Sequence, residues 1–410
     1  MATPEPPGSE TTPAEPWFVP GVKAIGAASL LSDLGHEVPT SLLPSFLSAT
    51  LHAPASALGL IEGIADLSAG VARLAGGPLA DDPERRTRTA VGGYLSTAVF
   101  SSAIGVAGAA WQVGVLRSVA WASRGIRGPS RNALLAEMVP KAAYGRAYGF
   151  ERAMDNLGAI GGPLLALGLV AIVGVRTAIV VSIVPGALAA AAIVAAVRAA
   201  PRHPASERRA LRIHVRAVLS GRVGRLVAGI AAFELANVAA TALILRATGV
   251  LDADHSHAAS VKIALGLYAG YNLAATVIAV PGGHLVDRRG PVIVLVLGAT
   301  AFVASFAGFA FAGGGDILVL ALLFAAGGVG IGLAETAQSA AVAAYSPPEL
   351  RGSAFGLVAA MQALANFASS AAWGVIYTAI SPRAAFLYLA GWSAVAAVAF
   401  AASRVSAPPA

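Results

Sequence analysis

Gly76-Gly77-Pro78-Leu79-Ala80-Asp81 closes one long apolar run, and Gly282-Gly283-His284-Leu285-Val286-Asp287 closes another about half a chain later. Each is followed by a basic cluster: Arg85, Arg86 and Arg88 after the first, Arg288 and Arg289 after the second. A short motif that recurs where a hydrophobic segment meets charge points to a duplicated chain crossing a bilayer. That narrows function to moving something across it and leaves the cargo open.

With a mean hydropathy of +0.73, 57% hydrophobic residues and only 12% charged ones, the chain departs from a water-soluble globule, whose charged share is about 25%. Apolar segments of about 20 residues, long enough to cross a hydrocarbon core as helices, fill most of it. A membrane barrel would need short alternating strands, whereas the runs here are long and unbroken. The apolar residues are largely Ala, Val, Leu and Gly, and small residues let transmembrane helices approach closely and slide. The expected fold class is all-α integral membrane.

The sequence has no cysteine, which excludes disulfides, iron–sulfur clusters and thiolate metal sites. Its histidines show no HExxH or similar ligand spacing, and His255 and His257 read as a solvated loop. No metal and no cofactor is expected. The formal charge of +7 does not imply nucleic acid, because the basic residues collect in alternate loops as the positive-inside rule requires.

Twelve spans are expected, at 21–48, 57–80, 88–108, 110–137, 145–170, 176–199, 223–250, 260–286, 291–313, 316–344, 352–378 and 382–404. They form two six-helix bundles, 21–199 and 223–404. A disordered N-terminal stretch (1–20), rich in Pro, Glu and Thr and lacking the basic start of a signal peptide, precedes them. A linker (200–222) with Arg202, Arg208, Arg209, Arg212 and Arg216 separates them, and a short tail (405–410) follows. These arginines, with Arg85 to Arg88, Lys141, Arg146, Arg288, Arg289, Arg351 and Arg404, place the linker and both termini in the cytoplasm. Arg176, Lys262 and Arg383 are the main exceptions in the opposite loops.

The repeat extends further. Pro140 to Gly149 (PKAAYGRAYG) pairs with Pro347 to Gly356 (PPELRGSAFG), and Asp33…Thr40 on span one aligns with Glu234…Thr241 on span seven. Two similar six-helix halves in parallel are a known transporter plan, with the cargo site between them near the midplane.

On these residues the chain resembles the major facilitator superfamily, over 20–404. Gly77-Pro-Leu-Ala-Asp81 with Arg85 and Arg86 looks like that superfamily's loop between its second and third helices, and Gly283 to Asp287 with Arg288 is its second-half echo. Arg117 sits where the family carries an arginine on helix four. Gly158-Ala-Ile-Gly-Gly162-Pro163 resembles the motif of the drug:proton antiporter branch on helix five. The resemblance implies twelve helices in two pseudo-symmetric bundles and a monomer in the inner membrane. It also implies a cavity lined by spans one, four, seven and ten. Gly77, Asp81, Arg85, Arg86, Asp155, Gly158, Gly162, Pro163, Asp287 and Arg288 would serve gating, with Asp81 touching the other half when the inside is shut.

An ionisable side chain facing lipid costs several kcal/mol, so those inside spans are expected to face the bundle interior. A carboxyl group in a partly dry cavity exchanges its proton closer to neutrality than one in water. Asp33 and Glu37, one turn apart on span one, and Glu234, the repeat counterpart of Asp33, are the candidate proton carriers. A permanent pairing with arginine is the alternative. On span four Arg117, Arg124, Arg127 and Arg131 fall on one stripe. Arg131 is expected to snorkel at the membrane surface. The others pair with Asp33, Glu37 or Asp155, or else Arg124 and Arg127 grip an anionic cargo, since guanidinium matches carboxylate geometry. Structural pairing is expected for Glu62 and Asp66, and Arg246 is expected to snorkel. Asn237, Glu335, Gln338 and Tyr271, with Arg117, complete the candidate substrate contacts, and Trp121 is the aromatic deepest in span four.

The leading expectation is a secondary transporter working by alternating access that exports a small molecule in exchange for protons. The arginine stripe favours an anionic or zwitterionic cargo: a drug, a siderophore or a carboxylate metabolite. A proton-coupled importer of an organic acid or sugar shares nearly every motif, and a membrane receptor or scaffold is the remote alternative. No nucleophile–base pair or phosphate loop supports an enzyme; Gly327-Gly328 and Gly313 to Gly315 follow no strand and read as packing or loop glycines.

Overall fold

The structure, a computed structural model, describes residues 16–201, 221–238, 240–314 and 316–403. Most of the N-terminal stretch 1–20, the linker arginines Arg202, Arg208, Arg209, Arg212 and Arg216, Arg404 and the tail 405–410 lie outside the described residues, as does the side chain of Thr241.

In chain order the helices are α1 (Pro20–Ser45, continued by a π-turn Phe46–Thr50), α2 (Ala55–Asp81), α3 (Pro83–Ala103), α4 (Ala110–Glu137), α5 (Tyr144–Val181), α6 (Ile183–Ala199), α7 (Gly221–Glu234), α8 (Ala240–Leu251), α9 (His257–Arg289), α10 (Pro291–Phe311), α11 (Ile317–Tyr345), α12 (Arg351–Ala379) and α13 (Pro382–Ala402). Local chemistry sets their ends. Proline, with no N–H to leave unsatisfied, occupies the first turn of α1, α3, α10 and α13. Asp82 caps α3 by accepting from the Glu84 and Arg85 N–H groups, so this helix starts five residues before the expected 88. Gly290, at φ 81°, stops α9.

Two spans depart from the sequence reading. α5 runs on to Val181 but is broken at Gly174, whose φ of 75° suits only glycine; residues beyond it begin span six. Span seven, expected to be continuous over 223–250, is interrupted after Glu234 and resumes at Ala240. Neither glycine nor proline marks that break. Asn237, which competes for backbone partners in helices, sits within it, and its side chain turns back to Glu234 at 3.0 Å.

Seven helical stretches among the described residues are long and apolar enough to cross a membrane; α1, α2 and α4, which carry many of the interior charges, are not among them. Large apolar side chains cover the outside, with Ile172 82%, Phe367 74% and Leu167 72% exposed. Such a surface belongs against lipid.

Both halves pack by one scheme. α1 lies on α5 and α6, α2 on α4, and α3 on α4 and α6; in the second half α7 lies on α12 and α13, α9 on α11, and α10 on α11 and α13. These are the same pairings shifted by six spans, so two pseudo-symmetric bundles are joined mainly where α2 meets α12 and α5 meets α9. The interiors differ. The second is built on phenylalanine, with Phe233 stacked on Phe302 at 4.8 Å and Phe306 and Phe309 leading to Phe386; the first is threaded by charge.

Among the described residues, α2 and α12 come into close contact at the motif end. A Cβ on Gly77 would lie 3.0 Å from the Ser353 backbone, and one on Gly356 would strike Gly77. Gly70 and Gly63 continue the Gly77 face of α2 at seven-residue spacing, yet a Cβ on either would meet nothing within 4 Å. α2 and α12 therefore close together at the motif end and part beyond it, leaving a cleft that opens toward the other end.

Candidate functional site

The arginine stripe of α4 is met residue by residue. Arg117, 1% exposed, donates to both carboxylate oxygens of Glu62 at 3.0 and 3.1 Å and to the Thr40 hydroxyl at 2.9 Å, with its guanidinium 3.4 Å from the Trp121 ring centroid. Arg124 donates to Asp33 at 3.2 Å. Arg127 donates to the Ser32 hydroxyl at 2.7 Å and lies over Tyr94. Arg131 does not snorkel: it is part-buried and lies 2.7 Å from Glu151 and 3.4 Å from Asp155, two carboxylates that sequence spacing had not assigned to it. Arg246, part-buried, donates to the Phe309 and Ala312 carbonyls at the C-terminal end of α10.

Asp33 and Glu37 share the α1 face that α5 presses on. A Cβ on Gly158 would lie 2.8 Å from that of Asp33, and one on Gly162 would collide with Glu37. The Gly158-xxx-Gly162 pair is thus what lets α5 seat against the acidic face, ahead of the Pro163 position inside the helix. His36, between the two acids and buried, places Nε2 3.3 Å from Glu37 and Nδ1 2.8 Å from the Ser32 carbonyl, with its ring edge-on to Trp121.

In the second half the break of span seven leaves Glu234, 3% exposed, inside the bundle. Its carboxylate accepts from Asn237 at 3.0 Å, Gln362 at 3.1 Å, Asn366 at 3.2 Å and Gln338 at 3.4 Å. Four neutral amides surround one acid. Gln362 and Asn366 escaped the sequence reading, although two carboxamides one turn apart in an apolar span are a visible signal. Tyr271 stacks on Tyr268 at 5.6 Å between ring centroids and rests on Gly327 of α11, while Asn272 bonds only within its own helix.

A second layer joins the halves below this level. Arg152 donates to Asp155 at 3.1 Å and lies 3.5 Å from Glu335 of α11. The closed end itself is held by the duplicated motif. Asp81 accepts from the Ser353 N–H at 3.0 Å and from its hydroxyl; Asp287 accepts from the Gly145 N–H at 2.6 Å, the Arg146 N–H at 3.1 Å and the Arg146 guanidinium at 2.7 Å. Arg86 ties α3 to the end of α2 through the Ala80 carbonyl and pairs with Glu137, and Arg85 lies 3.6 Å from Asp82. Arg288, expected at this gate, is exposed, and Arg146 makes the contact instead.

Asp66 and Arg73 lie on one face of α2, with Arg73 in Coulombic reach of Asp66 and Glu234. Among the described residues no group of three or more His, Cys, Asp or Glu is placed to hold a metal ion.

Comparison with known proteins agrees with this architecture. A profile of the Major Facilitator Superfamily matches residues 25–248 and 226–410. An uncharacterized MFS-type transporter of Methanocaldococcus jannaschii is 27% identical over 370 residues, 90% of each chain, and an uncharacterized protein of Mycobacterium tuberculosis is 32% identical over 183 residues, 44% of each. Among solved structures, a bacterial homologue of the iron transporter ferroportin, in an outward-facing state, superposes with a TM-score of 0.76 at 14% identity, covering 94% of this chain and all of that one. The fucose:proton symporter FucP of Escherichia coli, in a single-substitution variant, does so with a TM-score of 0.73 at 16% identity, covering 95% of this chain and all of that one. Two like-packed six-helix halves, the duplicated Gly–Asp motif at their contact and the family match across both of them make this chain a member of the Major Facilitator Superfamily, a multi-pass membrane transporter rather than an enzyme.

Proposed function

We propose that the chain is a proton-coupled secondary transporter working by alternating access, exporting a small organic molecule in exchange for protons. The observation that carries the coupling is Glu234: a buried carboxyl group at a helix break, held among the described residues by neutral amides. Such a group has no built-in counter-charge in reach of a hydrogen bond, so a proton or a cargo can supply one. Asp33, its repeat counterpart, is already paired with Arg124, and Glu37 with His36; they are the secondary carriers. A proton moves the equilibrium only if its affinity differs between the two states, and rocking the halves changes what surrounds a buried acid.

The clusters Arg85 to Arg88 and Arg288 to Arg289 put the closed motif end in the cytoplasm by the positive-inside rule, with both termini on that side of the inner membrane. The structure is then the outward-open state, locked inside by Asp81 and Asp287 and by the Arg152–Glu335 bridge, and the unit is a monomer. Export is favoured by the Gly158–Gly162–Pro163 seam. Import of an organic acid or sugar uses the same parts in the other direction. Arg117, Arg124 and Arg131 are paired with carboxylates, while Arg127 has the Ser32 hydroxyl and the Tyr94 ring, so an anionic or zwitterionic cargo keeps one candidate guanidinium.

Proteoliposomes carrying a trapped pH dye test this. With an imposed pH gradient and a panel of amines, sugars and carboxylates, some member of the panel is expected to drive proton flux that Glu234→Gln abolishes. Proton flux that persists unchanged in Glu234→Gln overturns the assignment.

A further inference from the structure

We infer that a small internal cavity of the first bundle, between α1, α3 and the start of α6, binds a monatomic halide, chloride in practice, which neutralises Arg127. The site is separate from the amides around Glu234, and it stands whether or not Glu234 carries the proton.

Small residues make the cavity. A Cβ on Gly35 of α1 would lie 3.1 Å from the Gly186 nitrogen of α6, and one on Gly186 would strike Ala98 of α3. The helices therefore cross closely there, and the gap beside the crossing is lined by the hydroxyl-bearing residues Ser32, Tyr94, Thr97, Ser101 and Ser182. Every residue lining it is buried. The centre of a water-sized sphere has about 10 Å³ to move in. That is room for one water or one monatomic ion and too little for an organic cargo.

The walls offer donors without acceptors. The Thr97 and Ser182 hydroxyls donate to the Gly93 and Ile179 carbonyls. Tyr94 and Ser101, 1% and 2% exposed, carry hydroxyls with no hydrogen-bond partner among the described residues. The Ser32 oxygen accepts from Arg127, which leaves the Ser32 proton uncommitted. His36 is occupied, with Nδ1 2.8 Å from the Ser32 carbonyl and Nε2 3.3 Å from Glu37. A buried donor left unpaired is costly, and an anion in the cavity gives these hydroxyls a common acceptor.

Charge decides between an anion and a water. Arg117, Arg124 and Arg131 each lie within 4 Å of a carboxylate, whereas Arg127, 4% exposed, makes no ion pair among the described residues. Its Nη2 donates to Ser32 at 2.7 Å, its guanidinium lies 3.8 Å from the Tyr94 ring centroid, and its Nη1 has no partner. Asp33 is in Coulombic reach but is bonded to Arg124. Ser32 and Tyr94 are both walls of the cavity. A halide accepting from the Ser32 hydroxyl at about 3 Å therefore stands within about 6 Å of Nη2. The Tyr94 ring offsets part of the buried charge; an anion supplies the missing counter-charge, which a water cannot.

Thermal unfolding of the full-length protein in lipid nanodiscs, in sodium gluconate, chloride or bromide at one ionic strength, tests the site. Chloride and bromide should raise the melting temperature saturably, by about two degrees or more, because a ligand of the folded state stabilises by mass action. Gluconate is too large to enter. Arg127→Gln removes the charge and should abolish the halide shift. Ser101→Val keeps Arg127 but puts a methyl group where the hydroxyl was, and should raise the halide concentration needed by about tenfold or more. Equal melting of the parent in gluconate and chloride would leave the cavity to water and overturn the inference. A halide shift of parental size and midpoint in either variant overturns it as well, and Ser101→Val gives that reading even where Arg127→Gln does not fold.

Discussion

Asp81, the last residue of α2, accepts both the backbone N–H and the hydroxyl of Ser353, the third residue of α12 in the opposite half. α12 has no capping side chain of its own, and neither has α5. The first N–H groups of a helix need acceptors and carry its positive end. Asp81 supplies them for α12 and Asp287 for α5, so the duplicated motif is a pair of caps donated across the interface. Closing this end completes two helices; opening it uncaps both.

Replacing both caps, Asp81→Ala with Asp287→Ala, is therefore expected to release the closed end. Each cap contributes about 1 kcal/mol, so the closed-to-open ratio should fall about tenfold or more. The parent chain has no cysteine, and spin labels at Arg88→Cys and Arg288→Cys would report the separation of the two sides by pulsed electron resonance. A distance distribution identical to that of the unmutated, labelled protein would remove the latch from the account.

Arg117 and Glu62 form a buried pair whose halves fail separately. Arg117→Met alone leaves a carboxylate in the bundle and should cost about 3–5 kcal/mol, whereas Arg117→Met with Glu62→Met should recover much of it. Thermal unfolding in detergent measures both. Additive losses would mean that the two side chains are not coupled.

The α1–α5 seam depends on missing side chains. Gly162→Leu should lower stability by about 1–3 kcal/mol through overpacking against Glu37. Gly168→Leu, where a Cβ meets nothing within 4 Å, should leave the melting temperature within about a degree. Equal effects at the two positions would show that the close approach is not what the Gly158-xxx-Gly162 spacing serves.

The spans were legible in the sequence because a bilayer demands apolar length, and the duplication was legible because Gly77 with Asp81 and Gly283 with Asp287 keep one job in each half. The family resemblance implied that Asp81 meets the other half, and its carboxylate accepts from Ser353 there. The partners of the α4 arginines were not legible: spacing puts Arg117 to Arg131 on a stripe, but which acid each meets depends on how α1, α2 and α5 rotate against it. The break at Glu234 left little mark, since Phe233 to Asn237 contains no glycine or proline and only Asn237 disfavours helix. The other amides that meet Glu234 come from another part of the chain, Gln338, Gln362 and Asn366.

The account turns on Glu234 as the group that trades a proton for cargo, and the most direct measurement separates exchange from driven transport. In proteoliposomes loaded with a transported cargo, Glu234→Gln should lose accumulation driven by a pH gradient, and its residual cargo-for-cargo exchange should no longer vary with pH. Gradient-driven accumulation at the wild-type rate in Glu234→Gln would contradict the claim and move proton coupling to another acid, with Asp33 next in line.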